Sequence, residues 1–200
     1  MVMDSPPELG ERIAHRIGFL RAEKSLSLDA LAAASGVSRS MISLIERGET
    51  SPTAVVLEKL AIGLGVTLAS LFEPAPNQTN ADTGPLSRRS DQAEWKDPAS
   101  GYKRRNVSPA GPAQPVQLVE VHFPAGARVT FDTGLLSVSA SQHIWILDGE
   151  MQITVGTDVH RLCEGDCLWM SLDIPRVFHN PTKKSARYAV VLHSNPAMRR

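Results

Sequence analysis

The chain has 200 residues with 21 acidic and 21 basic side chains, a formal net charge of zero that excludes gripping nucleic acid through a generally basic surface. It has no apolar run of the roughly eighteen residues a bilayer span needs, and its opening MVMDSPPELGER lacks the bases and apolar stretch of a signal peptide, so a cytoplasmic protein without membrane contact is expected. Two cysteines, Cys163 and Cys167, are too few for a disulfide framework and suit a reducing compartment.

Between Glu8 and Phe72 apolar residues recur at helical spacing, as with Ile13, Ile17 and Leu20, then Leu28, Leu31 and Ala32. The pattern predicts five helices near 8–24, 28–35, 39–47, 53–64 and 68–72. Ser27 and Ser38 are expected N-caps, Ser51-Pro52 a cap followed by a first-turn proline, and Gly36, Gly48 and Gly65 helix stops. Within this part, Leu28 to Arg47 has a helix-turn-helix layout. Ala32, Ala33 and Ala34 are expected to let two helices approach, Gly36 to take the left-handed turn, and Val37, Ile42 and Ile45 to form a buried stripe. Ser38, Arg39, Ser40, Ser43 and Arg47 are left outside, where an arginine can pair two guanine acceptors and serines can donate or accept. The blander alternative is a small helical bundle in which Arg39 and Ser40 are simply solvated.

The whole of Glu8 to Phe72, above all GVSRSMISLIERGETSPTAVVLEKLAIGLGVTLASLF, closely resembles the Xre-type, phage-repressor-like helix-turn-helix family. The resemblance implies a five-helix domain that binds double-stranded DNA as a homodimer on a two-fold symmetric operator, with the third helix in the major groove. Leu28 and Leu44 depart from the family pattern, standing where polar or basic contacts are frequent. Arg12 and Arg16, one turn apart on the first helix, are candidates to touch the DNA backbone instead, or are solvated helix charges.

Residues 75–84 are polar and rich in turn formers, which divides the chain into an expected domain over 1–74, a linker over 75–84 and a second domain over 85–200. In that second part, runs such as VQLVEVHF, HIWILDG, MQITVG, DCLWM and RYAVVLH are β-branched or aromatic and punctuated by Gly, Pro and Asp-Gly, implying a barrel or sandwich. The stretch with Trp95, Tyr102, Lys103, Arg104 and Arg105 is ambiguous, its aromatics favouring the β-domain.

The run from His143 to Asn180, with Leu147-Asp148-Gly149, Gly165-Asp166 and Pro175 as landmarks, resembles the cupin superfamily. That resemblance implies an all-β small jelly-roll barrel, and in its metal-binding members two His and a Glu in one motif and a third His in the next. Here those positions fall on Leu135, Ser137, Gln142 and Arg176, so no metal and no cofactor is expected: a guanidinium cannot expose a lone pair, and an amide is a poor ligand. Gln142 and Arg176, if they face inward, suit a small anionic effector such as a carboxylate, with Trp169 as an apolar wall. Alternation puts Trp145 on the face opposite Gln142, and core packing or a dimer seam are the plainer roles of both tryptophans. His143, His160 and His179 with the cysteines fit no zinc spacing, and Cys163 and Cys167 are read as small buried residues ahead of a redox pair. No catalytic triad, carboxylate pair or phosphate loop stands out, so the chain is expected to be a dimeric DNA-binding regulator and not an enzyme. Two rivals remain: a metal-dependent cupin enzyme with an attached DNA-binding head, and a DNA-independent interaction module.

Overall fold

A computed structural model describes residues 9–73, 84–109, 115–132 and 140–194. Helices form where the 3.6-residue apolar period runs and begin where a hydroxyl can cap them: α1 (Leu9–Glu23), α2 (Leu28–Ser35), α3 (Arg39–Glu46) and α4 (Ala54–Gly63). The side chains of Ser27, Ser38 and Thr53 accept hydrogen bonds from the backbone N–H of Ala30, Met41 and Val56, satisfying donors that helix ends leave without partners. Thr53 therefore replaces the cap expected at Ser51, because the chain turns helical only after Pro52. The fifth expected helix, Leu68–Phe72, is a 3₁₀ helix, so the α-helices number four among the described residues. Its five residues, capped by Thr67, span little more than one turn, the length at which 3₁₀ geometry is common.

The turn between α2 and α3 uses Gly36 at φ 67°, a left-handed conformation open to glycine at no steric cost. Ala33 and Ala34, expected to mediate close helix approach, are exposed. The close contact lies elsewhere: a Cβ on Gly63 would sit 2.8 Å from the Ser35 Cβ, so glycine there lets α4 rest directly on α2. Ile13, Ile17, Leu31, Ile42, Ile45 and Leu57 fill the space between the helices, all nearly inaccessible to water.

Among the described residues the C-terminal part forms ten antiparallel strands in two sheets: β1 (Glu94–Lys96), β2 (Lys103–Asn106), β3 (Val116–Phe123), β4 (Arg128–Phe131), β5 (Ala140–Asp148), β6 (Met151–Val155), β7 (Asp158–Leu162), β8 (Cys167–Ser171), β9 (Arg176–His179) and β10 (Ala186–Ser194). The larger sheet runs β1-β2-β3-β10-β5-β8 and the smaller β4-β9-β6-β7. The closed barrel expected from sequence is thus a pair of stacked sheets whose edges are not hydrogen-bonded to each other among the described residues. The strands of the smaller sheet are shorter, four residues in β4 and β9 against nine in β5 and β10. Alternation along β5 turns Gln142, Ile144 and Ile146 inward and His143 and Trp145 outward.

The helical and β parts share one hydrophobic cluster. Phe72 meets Trp95 edge-on with ring centroids 5.7 Å apart, Trp95 meets Tyr102 at 5.7 Å, and Tyr102 stacks on Phe123 at 5.6 Å. Tyr188, Phe178 and Phe131 continue this aromatic run into the β-sandwich. Polar bonds reinforce the same seam. Asp97, buried after β1, accepts the Ala54 N–H at 2.9 Å and so supplies a second cap to α4 from outside the helical part, while its other oxygen holds the Ser100 backbone at 2.9 Å. Glu73 accepts hydrogen bonds from Arg16 on α1 and Gln117 on β3. Replacing Asp97 with Ala leaves the Ala54 donor unsatisfied, and urea unfolding should show a loss of about 1–3 kcal/mol; an unchanged midpoint would mean that the cross-seam cap contributes nothing.

Candidate nucleic-acid interface and seam cavity

The stripe of α3 buries Ile42 and Ile45 and turns the rest of the helix outward. Ser38, Arg39, Ser40 and Arg47 are exposed and Ser43 is half-buried, so the helix start presents hydroxyls and a guanidinium together. Arg39 Nε lies 3.3 Å from Asp29 Oδ1, with both side chains largely in water, an ion pair weak enough for a phosphate or base edge to replace. Arg47 donates to the Ser43 hydroxyl and pairs with Glu49, and its hydrogen bond to Glu49 raises the Arg47 pKa and lowers that of Glu49. Arg12 is half-buried on α1. Arg16 is differently placed from the expectation of a backbone contact: its guanidinium donates to the Ser70 carbonyl at 3.1 Å and to Glu73 at 3.0 Å, and only 11% of the side chain is exposed. It fastens α1 to the chain leaving the helical part. Arg21, which the sequence pattern did not single out, donates through two nitrogens to Glu46 at 2.6 and 2.7 Å and so fixes the end of α3 to α1.

A second site lies at the seam. A cavity of about 60 Å³, several times the space of a single buried water, is bounded by Thr67, Leu68 and Ala69 on the helical side and by Tyr102, Arg104, Gln142, Arg176 and Tyr188 among others on the β side. Gln142 and Arg176 both line this cavity, and Gln142 donates to the Met170 sulfur at 3.5 Å. Arg176 donates to the Leu172 carbonyl at 3.1 Å and forms a buried ion pair with Glu58 of α4. Its guanidinium lies 5.1 Å from the centroid of the Phe131 ring. Burial raises the Glu58 carboxyl to about 7; Arg176 pulls it down and Asp132 adds to the rise.

A model of the helix-turn-helix family, described as Helix-turn-helix, matches residues 17–71. The HTH-type transcriptional regulator SutR of Escherichia coli K12 is 25% identical over 180 residues, covering 87% of this chain and 90% of that protein. The HTH-type transcriptional regulator y4dJ of Sinorhizobium fredii is 42% identical over 67 residues, which cover 34% of this chain and 87% of that one. The chain belongs to the Xre-type helix-turn-helix transcriptional regulators. A crystal structure of an HTH_3 family transcriptional regulator from Vibrio cholerae superposes with a TM-score of 0.71 at 25% identity, over 94% of this chain and 97% of that one, so the likeness extends through the β-domain.

In this regulator several expected placements change. Trp169 is not a cavity wall: it is 60% exposed on the outer face of β8, because Met170 takes the inward position of that strand. It lies opposite His143 in the β5–β8 register, two residues from the Trp145 and Cys167 pair. Cys163 and Cys167 are exposed and not buried. His143 is on β5 of the larger sheet, whereas His160 and His179 are on β7 and β9 of the smaller, and no group of three His, Cys, Asp or Glu able to hold a metal occurs among the described residues. The donors at the seam do not fit a metal either, since Arg176 is a cation and Gln142 is turned toward a sulfur. Leu135 and Ser137 lie outside the described residues.

The groups that sequence reading passed over are Arg104, Glu58 and Asp97. Glu58 left a signal, since with Ala54, Leu57 and Ala61 it occupies the buried stripe of α4, an odd place for a carboxylate. The partners on the β-domain left none. Glu58 is faced by Arg176, Asp132 and Tyr102. Because its folded pKa of about 7 lies above the ordinary value of 4.5, its stabilising contribution is complete below pH 4.5 and is lost as pH rises through 7. Relative to wild type, Glu58→Gln should therefore gain in thermal midpoint between pH 5 and pH 8; a difference that stays flat over that range would show that Glu58 does not titrate there.

Proposed function

We propose that this regulator binds double-stranded DNA as a homodimer on a two-fold symmetric site, reading base edges through Ser38, Arg39, Ser40, Ser43 and Arg47, and that its cupin domain both dimerises and senses a small anionic metabolite without a metal. The observation that carries the reading is the capped, outward start of α3, where hydroxyls and the weakly held Arg39 are presented on a helix whose other face is locked into the core. Arg12 adds a backbone contact, and Arg16, held by Glu73, is left out of the interface. The working units are residues 1–74 and 85–200, with 75–84 joining them, in a cytoplasmic protein that is not an enzyme.

Dimerisation falls to the outer face of the larger sheet. Trp145 and Trp169, 50% and 60% exposed, stand near each other on β5 and β8, and Leu118 on β3 extends the apolar surface at 42% exposure. Two recognition helices must be held at a fixed separation to read two half-sites, and a flat aromatic sheet face is suited to pairing with its own copy. Gln142 and Arg176 supply the neutral and charged donors of the sensing pocket.

Footprinting of the tagged protein across its genome, followed by a gel shift on the recovered site, tests the DNA reading. Arg39→Ala should weaken binding by about 1–3 kcal/mol, roughly five- to a hundred-and-fiftyfold; full affinity in that variant, or no enriched site, would favour an interaction module instead. Sedimentation of a Trp145→Ser, Trp169→Ser double variant should give a monomer at concentrations where wild type is a dimer, and a dimer that survives would move the interface elsewhere.

A further inference from the structure

Two guanidiniums, Arg104 and Arg176, and two carboxylates, Glu58 and Asp97, are buried at the seam. Arg104 is 8% exposed and Arg176 is 5% exposed, and both line the cavity. Arg176 is matched by Glu58, but Arg104 has no ion pair with any described residue, and its Nε is buried without a hydrogen-bond partner. What Arg104 does have is the face of Phe72, 5.0 Å from ring centroid to guanidinium. Its neighbours Lys103 and Arg105 are paired with Glu94 and Glu120, so the absence of a partner is particular to the inward-facing residue of β2. Burial lowers the Arg104 pKa, as removal of a cation from water must. An uncompensated buried guanidinium costs several kcal/mol, and the group that would remove this cost is an anion.

We propose that the seam cavity binds a small oxyanion between Arg104 and Arg176, and that Glu58 is an internal competitor which occupies Arg176 when the site is empty. This deepens the sensing role proposed above and rests on it: the ligand is now given a second cation, and the helical domain a part in the site. An entering anion satisfies Arg104 and displaces the Glu58 carboxylate from Arg176. Glu58 belongs to α4, whose first N–H is held by Asp97, so its release loosens the contact that fixes the DNA-reading domain on the β-domain. A cavity of about 60 Å³ has room for an acid of a few heavy atoms.

Calorimetric titration of the full chain at constant ionic strength with acetate, malonate, sulfate and phosphate tests this, with chloride as the background salt. Saturable binding of at least one of the four is expected, weakened about tenfold or more by Arg104→Gln and tightened several-fold by Glu58→Gln, which removes the competing charge. Should Arg104→Gln not fold, Arg104→Lys, which keeps the charge but loses the planar fork, is expected to weaken binding as well. No saturable binding by wild type or by Glu58→Gln overturns the site. Unchanged affinity in the folded Arg104 variant removes Arg104 from it, and unchanged or weaker affinity in Glu58→Gln removes the competition. A gel shift with and without the bound anion separates this proposal from the sensing role: binding that leaves DNA affinity unaltered keeps the site and refutes sensing.

Discussion

Charge buried in the seam between the helical and β parts is the constraint around which the molecule is arranged. Taking an ion out of water costs several kcal/mol even after relaxation, so Arg176 and Glu58 hold their positions only because each is close to the other. Arg176 also donates to the Leu172 carbonyl, and Arg104 rests against Phe72. The aromatic run from Phe72 through Trp95 and Tyr102 to Phe123 surrounds these groups with apolar surface and keeps the local dielectric low. Within that region Arg104 has no ion-pair partner among the described residues.

That seam reaches the DNA-reading helix by short steps. α4 carries Glu58 on its buried stripe and receives the Asp97 cap at its start. Gly63 seats α4 on α2, and the α2–α3 turn at Gly36 sets the direction of the recognition helix. From the other side, Arg21 holds Glu46 at the end of α3. Each of these contacts allows little adjustment: one is a backbone approach without space for a methyl group, the others are charged or capping hydrogen bonds. The orientation of α3 is consequently set relative to the β-domain and not by the helical part alone.

Much of this architecture is legible along the chain because it depends on local physics. Hydroxyls before apolar periods give the caps at Ser27 and Ser38, period-two alternation places Gln142 inside and Trp145 outside, and the helix-turn-helix layout predicts which side chains of α3 remain in solvent. Relations between distant segments are not legible in this way. The partner of Glu58 is 118 positions away and that of Ala54 is 43 away, and no local pattern specifies either. Trp169 illustrates a milder failure: with Met170 beside it, the sequence offers two large apolar residues for one inward position, and the smaller, more adaptable one takes it. Arg104 is not separable from its neighbours along the chain, because a run of three bases does not say which side chain the strand turns toward the cavity.

The incomplete compensation of charge also bears on how firmly the two parts can be joined. An apolar residue in place of Arg104 would remove a desolvation cost and strengthen the seam. Reversing a two-state equilibrium from about one in a hundred to its mirror image requires roughly 5.5 kcal/mol of differential binding, close to the upper range of what a small ligand of few atoms supplies. A seam made entirely of apolar and aromatic contacts would offer an anion no group to compete for. One that contains a cation without a counterion, beside a carboxylate whose ionisation is opposed by burial, is weak enough at a single point for a bound anion to compete there, while the aromatic run keeps the two parts together elsewhere.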